Sequence, residues 1–362
     1  MAAKDKIHAM IERSRDVLLD ACIENGAIVA ANSDKEYFGN NVYFYRFVWP
    51  RDAAFTLVAL DMLGVKDVHE KYYKWLLDRA EEFSQSGILY QNYHTHGPKH
   101  WMNLQPDSNG LTLWAIFHHA RTTGTRPDKK LVKKLADGIC SVWSGSRFRA
   151  ETQDLWEERL AFPEYDEIHV YSAAMAYHGL LCADRLFTSS RWKKTAQQIK
   201  KAVLSSYDDN LGHFPRTSSS IISDTNYCVD ASLTGLIFPA AIISSRDSRM
   251  VSTIKAIEKK LNRNGGIYRY EKDLYDGMIK NNKLLKKGAG AWPILNFWLS
   301  IYYSIKGDKK KAMKHYMWVI ERVDDSLLIP EQVFENKLQQ SISPLVWSHS
   351  MFIIASKHLG FL

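Results

Sequence analysis

Ile168-His-Val-Tyr-Ser-Ala-Ala-Met-Ala-Tyr-His-Gly-Leu-Leu-Cys-Ala-Asp184 reads as a helix that is apolar on most faces. The helical stretch that follows it, 189–206, is charged on one face and apolar on the other. A helix apolar all round is stable in water only when every side is covered, whereas a half-apolar helix belongs at the surface with its stripe turned inward. The two adjacent stretches therefore read as an inner helix followed by an outer one.

The same alternation extends in both directions. Segments 51–63, 109–120, 230–243, 290–305 and 344–356 are also apolar on most faces, and the helical patterns near 67–83, 128–143, 247–262 and 308–322 are amphipathic. At the N-terminus Ile7, Met10, Ile11, Ser14, Leu18, Ala21 and Cys22 recur at three- and four-residue spacing on one face. Twelve helices in alternating order predict an inner ring wrapped by an outer ring, an all-α six-hairpin toroid of the (α/α)6 type. No period of 30 to 50 residues with matching side chains marks an α-solenoid. No Pro/Gly/Ser-rich linker divides the chain, which predicts one domain over 1–362.

Composition sets the outer limits. The 362 residues are 46% hydrophobic and 24% charged, which excludes disordered and fibrous classes. Forty-eight basic against forty acidic residues leave +8, but the lysines lie in scattered runs such as 128–134 and 308–314. These read as solvated helix faces, so neither nucleic acid nor a membrane surface is expected as a partner. Cys22, Cys140, Cys182 and Cys228 stand far apart, with no CxxC pair to signal disulfides or zinc, which fits a reducing compartment. The start of the chain has no apolar signal region, and a cytoplasmic protein is expected. The uncharged stretches 288–305 and 338–356 contain Pro293 and Asn296, or Gln339, Gln340 and Pro344, and read as buried helices instead of membrane spans.

Long loops rich in aromatic and polar residues, at 37–52, 90–107, 151–166, 265–276 and 327–338, predict a lined pocket. Two carboxylate sites lie in apolar or aromatic runs: Asp154-Leu155-Trp156-Glu157-Glu158 and Leu328-Ile329-Pro330-Glu331-Gln332-Val333. A carboxyl beside Trp and a second carboxylate is pushed towards a raised pKa, which suits a general acid, and Glu331 offers a base. Trp49-Pro50-Arg51-Asp52, preceded by Tyr45, combines a donor, an acceptor and flat stacking surfaces, which is what a sugar ring requires. The competing account of Asp52 is an N-cap with Arg51 paired locally.

These blocks resemble, in consistent order over nearly the whole chain, those of glycoside hydrolase family 15, the glucoamylase family. The resemblance implies that Tyr45, Trp49, Arg51 and Asp52 bind the terminal sugar, with Trp101, in Trp-Met-Asn-Leu-Gln-Pro-Asp107, packing on substrate and acid. It makes Glu157 the general acid and Glu158 a neighbouring substrate carboxylate. Val229-Asp230-Ala231-Ser232-Leu233 also matches, and Gly266-Ile267-Tyr268-Arg269-Tyr270 carries a sugar-binding arginine onto Arg269. Pro330-Glu331-Gln332, with Pro344-Leu345-Val346-Trp347-Ser348 after it, looks like the base block and the last inner helix. Trp156 and Trp292 complete the expected pocket wall. The implied fold is the (α/α)6 barrel already read from periodicity.

The chain departs from the family in starting directly on a barrel helix, without the N-terminal β-sandwich of bacterial and archaeal members, and in showing no starch-binding module. Asn103 stands where fungal members have an arginine near the acceptor site. An inserted run at 277–287, before Trp292, replaces the expected short loop and places acceptor specificity outside the resemblance. The expected activity is that of an inverting exo-acting α-glucosidase on soluble α-glucosides such as malto-oligosaccharides, with no metal or organic cofactor. Glu331 is then expected to set the acidic limb of the pH profile and Glu157 the alkaline limb. A trehalase-like activity is the alternative within the family, and a non-catalytic sugar-sensing barrel the alternative outside it.

Other residues carry blander readings. His94, His96 and His100 have metal-like spacing but no Cys or acidic partner in their loop and read as surface or sugar-contacting histidines. His118 and His119 read as inter-helix hydrogen-bond formers, and Met10, Met62, Met175 and Met250 as core filler. Ser172, Ser348 and Ser350 lack a neighbouring base or nucleophile elbow.

Overall fold

The computed structural model describes residues 3–38, 45–221, 223, 228–277 and 288–362. Its helices are α1 (Ala3–Ala21), α2 (Pro50–Met62), α3 (His69–Asp78), the single turn α4 (Phe83–Ser86), α5 (Pro106–Thr123), α6 (Lys129–Val142), α7 (Val170–Leu186), α8 (Ser190–Ser205), α9 (Ser248–Leu261), α10 (Pro293–Lys306), α11 (Lys309–Ile320) and α12 (Val346–Leu359). A 3₁₀ segment, Ala231–Leu236, lies between α8 and α9.

The apolar helices form a closed ring. α2 packs on α5, α5 on α7, α7 on the 3₁₀ segment, that segment on α10, α10 on α12, and α12 back on α2. α2 buries every residue from Pro50 to Asp61, whereas α8 buries only Trp192, Thr195, Ala196, Ile199 and Val203, a three- and four-residue stripe. The outer helices α1, α6, α8, α9 and α11 each cover part of this ring. This is the (α/α)6 toroid that the alternation predicts, with one hydrophobic core cluster running from Ile7 to Ala355. α5 and α7 approach most closely at Gly110 and Gly179: a Cβ on Gly179 would lie 2.5 Å from the Gly110 Cα, so only hydrogen fits at both positions.

The expected inner helix at 230–243 is a correction. It forms only the 3₁₀ turn 231–236, followed by irregular chain. Pro239 has no N–H to continue a helix and its ring crowds the preceding turn. Gly235 sits against the Tyr171 ring, where a Cβ would be 2.6 Å from a ring carbon. Helix 67–83 is also shorter than expected and stops at Asp78.

Inner and outer helices start differently. α2, α5 and α10 begin on Pro50, Pro106 and Pro293, and their N-cap residues Trp49, Gln105 and Trp292 make no side-chain cap. The outer helices α6, α9 and α11 are capped by Asp128, Asp247 and Asp308, each accepting from a backbone N–H of the first turn. The uncapped ends of the inner helices face the aromatic loops, and with them a pocket.

Among the described residues four two-stranded antiparallel sheets shape those loops: β1 (Tyr90–Tyr93) with β2 (Lys99–Leu104), β3 (Thr152–Gln153) with β4 (Leu160–Ala161), β5 (Ile168–His169) with β6 (Thr217–Ser218), which join across α7 and α8, and β7 (Asn262–Arg263) with β8 (Gly266–Ile267). Among the described residues no helix is long and apolar enough to cross a membrane. The four cysteines form no disulfide.

Candidate active site

A pocket of about 270 Å³ opens at the N-terminal ends of the inner helices. All eleven residues singled out in the sequence line it: Tyr45, Trp49, Arg51, Asp52, Trp101, Trp156, Glu157, Glu158, Arg269, Trp292 and Glu331. Ala30, Leu155, Tyr275, Leu345 and Trp347 complete the wall.

Glu157 sits on the loop closed by β3 and β4, in a left-handed conformation with φ of 63°. Such a backbone is costly for a residue with a side chain and persists only where its surroundings fix it. Asp154 supplies the fixing. Its Oδ1 accepts from the N–H groups of Glu158 and Arg159 at 2.9 and 3.0 Å, and its carbonyl accepts from Glu157 N at 3.1 Å. Its other oxygen takes Arg216 Nε at 3.0 Å and a second guanidinium nitrogen. Arg216 also reaches Asp230, 3.4 Å away, and Asp230 accepts from Trp156 Nε1 at 3.0 Å. Burial alone would raise Asp154, but Arg216 and His169 overcome it and hold the carboxyl below its ordinary value.

At the tip of that loop, Trp49 Nε1 donates to Glu157 Oε1 at 2.6 Å and Arg51 approaches the same oxygen at 3.4 Å. Burial nevertheless pushes the Glu157 carboxyl up to about 7, with Arg51, Gln91 and Trp49 opposing. Three side chains, Trp49, Arg51 and Gln91, thus address this carboxyl, and burial still leaves it a proton carrier near neutral pH.

Glu331 is held from the far side of the ring. Its N–H donates to Ile342 O at 2.8 Å, Ser348 Oγ donates to Pro330 O at 2.9 Å, and Ile329 N donates to His349 Nε2 at 2.9 Å. Ser348 and His349 belong to the first turn of α12, so that helix sets the position of the base block. The carboxyl is 3% exposed, and Tyr45 Oη donates to Oε1 at 3.3 Å. Among the described residues Oε2 makes no hydrogen bond of good geometry, and the neighbouring Gln332 side chain adds only a minor pull on the carboxyl. Burial pushes Glu331 up to about 8 against the pull of Arg269. Both shifts run upward and have the same cause, removal from water.

The remaining groups form two anchored cations. Arg51 pairs with Asp52 at 3.0 Å, donates to Leu155 O at 3.0 Å and lies 4.8 Å over the Trp347 ring. Asp52 is not an N-cap: Trp49 holds that position and Asp52 lies inside the first turn. Arg269 is gripped by Asp273 at 2.7 and 2.8 Å and by Glu158 at 2.6 Å, within 5.4 Å of the Trp156, Tyr275 and Trp292 rings. Tyr270 Oη donates to the second oxygen of Glu158. Trp101, 42% exposed, stands on the rim edge-on to Trp49, with the ring centres 6.3 Å apart. His94 and His100 pack around Phe47, with the His100 ring stacked at 4.0 Å, as an aromatic wall behind Trp101.

Arg216, Asp273, Gln91, Tyr275 and Trp347 were not foreseen as site residues. Trp347 lies in a block already noted for the last inner helix, and Tyr275 lies just before the inserted run. Arg216, in Phe-Pro-Arg-Thr, carries no local signal.

Comparison with known proteins follows this geometry. The profile of glycosyl hydrolases family 15 matches residues 78–357. An uncharacterized glycosyl hydrolase of Methanocaldococcus jannaschii is 29% identical over 97% of this chain, which spans only 56% of that relative's length. An isomaltose glucohydrolase of Kribbella flavida is 23% identical, over 98% of this chain and 92% of its own. A trehalase of Thermoplasma volcanium is 26% identical, over 91% of this chain and 54% of its own. Among solved structures, a glycosidase in complex with glucose superimposes with a TM-score of 0.81 at 22% identity, covering 99% of this chain and 98% of that one. A bacterial glucoamylase complexed with acarbose gives 0.76 at 21% identity, over 97% and 55%. The structural likenesses establish the barrel, and the profile, which takes in well over half of the sequence, establishes the lineage: the chain belongs to glycosyl hydrolases family 15.

Proposed function

We propose that the protein is an inverting, exo-acting α-glucosidase that releases β-glucose from the non-reducing end of soluble α-glucosides such as malto-oligosaccharides. The observation that carries this reading is the pair Glu157, half-buried, and Glu331, buried, two carboxyls with raised pKa values lining one small aromatic pocket. Its volume lies below the usual range of about 300–1,000 Å³ for ligand pockets, which suits one terminal ring and not the middle of a chain.

In this mechanism Glu157 passes its carboxyl proton to the glycosidic oxygen as the C1–O bond breaks. Water attacks C1 from the opposite face and gives its proton to Glu331. Arg51, Asp52 and Arg269 hold the hydroxyls of the terminal sugar, and Trp49, Trp101, Trp156 and Trp292 shape and dry the pocket.

The relatives' names favour a second reading, a disaccharide substrate: an isomaltose glucohydrolase matches over most of its own length, and trehalases recur among the relatives. The test is glucose release from maltose, maltotriose, isomaltose and trehalose, with proton NMR of the first anomer formed. β-Glucose from maltotriose supports the first reading, and release from isomaltose or trehalose alone supports the second. α-Glucose as the first product refutes inversion in either case.

A further inference from the structure

At the end of the barrel away from the pocket, three imidazoles converge on one carboxylate. Asp61 lies nine residues after Asp52 on α2, about 13 Å along the helix axis. Its Oδ1 is 2.7 Å from His119 Nδ1 and 3.2 Å from His69 Nε2, and its Oδ2 is 3.0 Å from His118 Nδ1. Asp61, His69 and His119 are all buried, and their three facing atoms lie within 4.8 Å of one another. The His69 and His119 rings stack at 3.8 Å, so both present a nitrogen to the same point from parallel planes.

Hydrogen bonding explains Oδ2 and His118 well, but it accounts less well for the other side. Two imidazoles crowd one oxygen there, and His69 Nε2 is also 3.1 Å from Leu57 O. A cation between the three atoms removes the crowding. Bonds of about 2.0–2.1 Å in a tetrahedron separate neighbouring ligands by roughly 3.3 Å, close to the 2.7 and 3.2 Å found.

The surrounding groups also suit a metal. His69 Nδ1 faces Lys66 O at 3.3 Å, the outward bond that fixes ring orientation in metal-binding histidines, and His118 supports the far oxygen of the carboxylate. Beside His119 a groove of about 420 Å³ opens between α3 and α5–α6, lined by Glu70, Asp78 and Asp128 against Lys74 and Arg126, which gives a cation an entry path.

We propose that Asp61 Oδ1, His69 Nε2 and His119 Nδ1 bind a divalent transition metal of the zinc type, with the fourth position open towards the groove. The ion ties the far ends of α2 and α5 to the start of α3 and takes no part in the chemistry at the pocket.

The test uses the full chain, treated with a chelator and titrated with zinc sulfate by calorimetry, with Tm followed in parallel and Co²⁺ substituted for its visible absorption. One ion per chain is expected, with a higher Tm and a Co²⁺ spectrum showing nitrogen and oxygen ligation at low coordination number. His69→Gln or His119→Gln weakens binding by roughly a hundredfold or more, and His118→Gln, which removes only a supporting bond, by about tenfold to a hundredfold. Should the first two variants not fold, the wild-type titration and His118→Gln decide the matter. The proposal is overturned if the wild-type chain takes up no stoichiometric zinc. It is equally overturned if binding persists in His118→Gln and His119→Gln but disappears in a His94→Gln/His96→Gln variant, which would place the ion in the rim loop.

Discussion

At the scale of single residues, Glu157 and Glu331 are proton carriers made by burial. Their values of about 7 and about 8 lie above the ordinary 4.5 of a glutamate, so between those limits the folded chain retains protons that an unfolded chain has released. Stability contributed by such groups is complete below pH 4.5, falls as pH rises through the folded values, and stays reduced above them. Glu331→Gln removes that cost. Its Tm by scanning calorimetry is expected to exceed that of the wild type by a few degrees at pH 8.5 and to match it near pH 4.5; a lower Tm at both would show that partners, not burial, govern the carboxyl. Glu157→Gln and Glu331→Gln are each expected to lower turnover by roughly two to four orders of magnitude. The pH profile should be a bell with both limbs above the usual carboxylate range. The two carboxyls share one pocket and titrate as a pair, so the limbs of the bell belong to the pair. Asp52→Asn keeps an acceptor near Arg51 but loses the charge that strengthens hydroxyl contacts in the transition state. It should reduce kcat at least tenfold while Tm falls by only a few degrees; a collapse in Tm with normal kcat would make Asp52 a structural partner of Arg51 alone.

At the scale of elements, the site depends on loops whose geometry is set from outside themselves. The β3–β4 loop holds Glu157 at positive φ through Asp154, and Asp154 is held by Arg216 from beyond α8. Arg216→Met therefore leaves two buried carboxylates, Asp154 and Asp230, without their cation. The expected result is a kcat loss of about tenfold or more together with a displaced pH profile, since Glu157 changes its surroundings; a change in Tm alone, with kcat and pH profile intact, would make Arg216 merely structural. The inserted run supports another expectation at this scale. Residues 278–287 lie outside the described residues, but their neighbour Gly277 is within 3.7 Å of Glu331 Oε2 when given a Cβ, and Trp292 follows them in the wall. Deleting 278–287 should shift the ratio of kcat/KM between maltose and maltotriose while hydrolysis survives. These elements also show where the sequence was readable. The eleven wall residues were legible because each lies in a short block whose residue types announce sugar chemistry. Arg216 and Asp273 were not, because their value arises only when distant loops meet. The segment 230–243 misled because its apolar pattern outweighed Gly235 and Pro239, the residues that prevent a full helix.

At the scale of the whole molecule, alternating burial decides the architecture, and it was legible because each helix declares its own layer: α2 carries no exposed face, and α8 has lysines on one side and a stripe on the other. The same layering separates charge from chemistry. The excess of +8 is carried by outer helices such as α6, α8, α9 and α11, whereas the pocket at the inner helix ends balances Arg51 and Arg269 against Asp52, Glu158 and Asp273. A neutral sugar entering that pocket gains nothing from long-range attraction, while an acidic polymer would be drawn to the outer surface and released by salt. Between roughly 20 mM and 500 mM NaCl the screening length shrinks several-fold. Because the reacting groups are buried and their counter-charges lie in direct contact, kcat/KM on the preferred glucoside should change by less than about twofold over this range. A steep, log-linear fall with salt would instead mean that the basic exterior captures the substrate, and the neutral glucoside would have to be replaced by an anionic one.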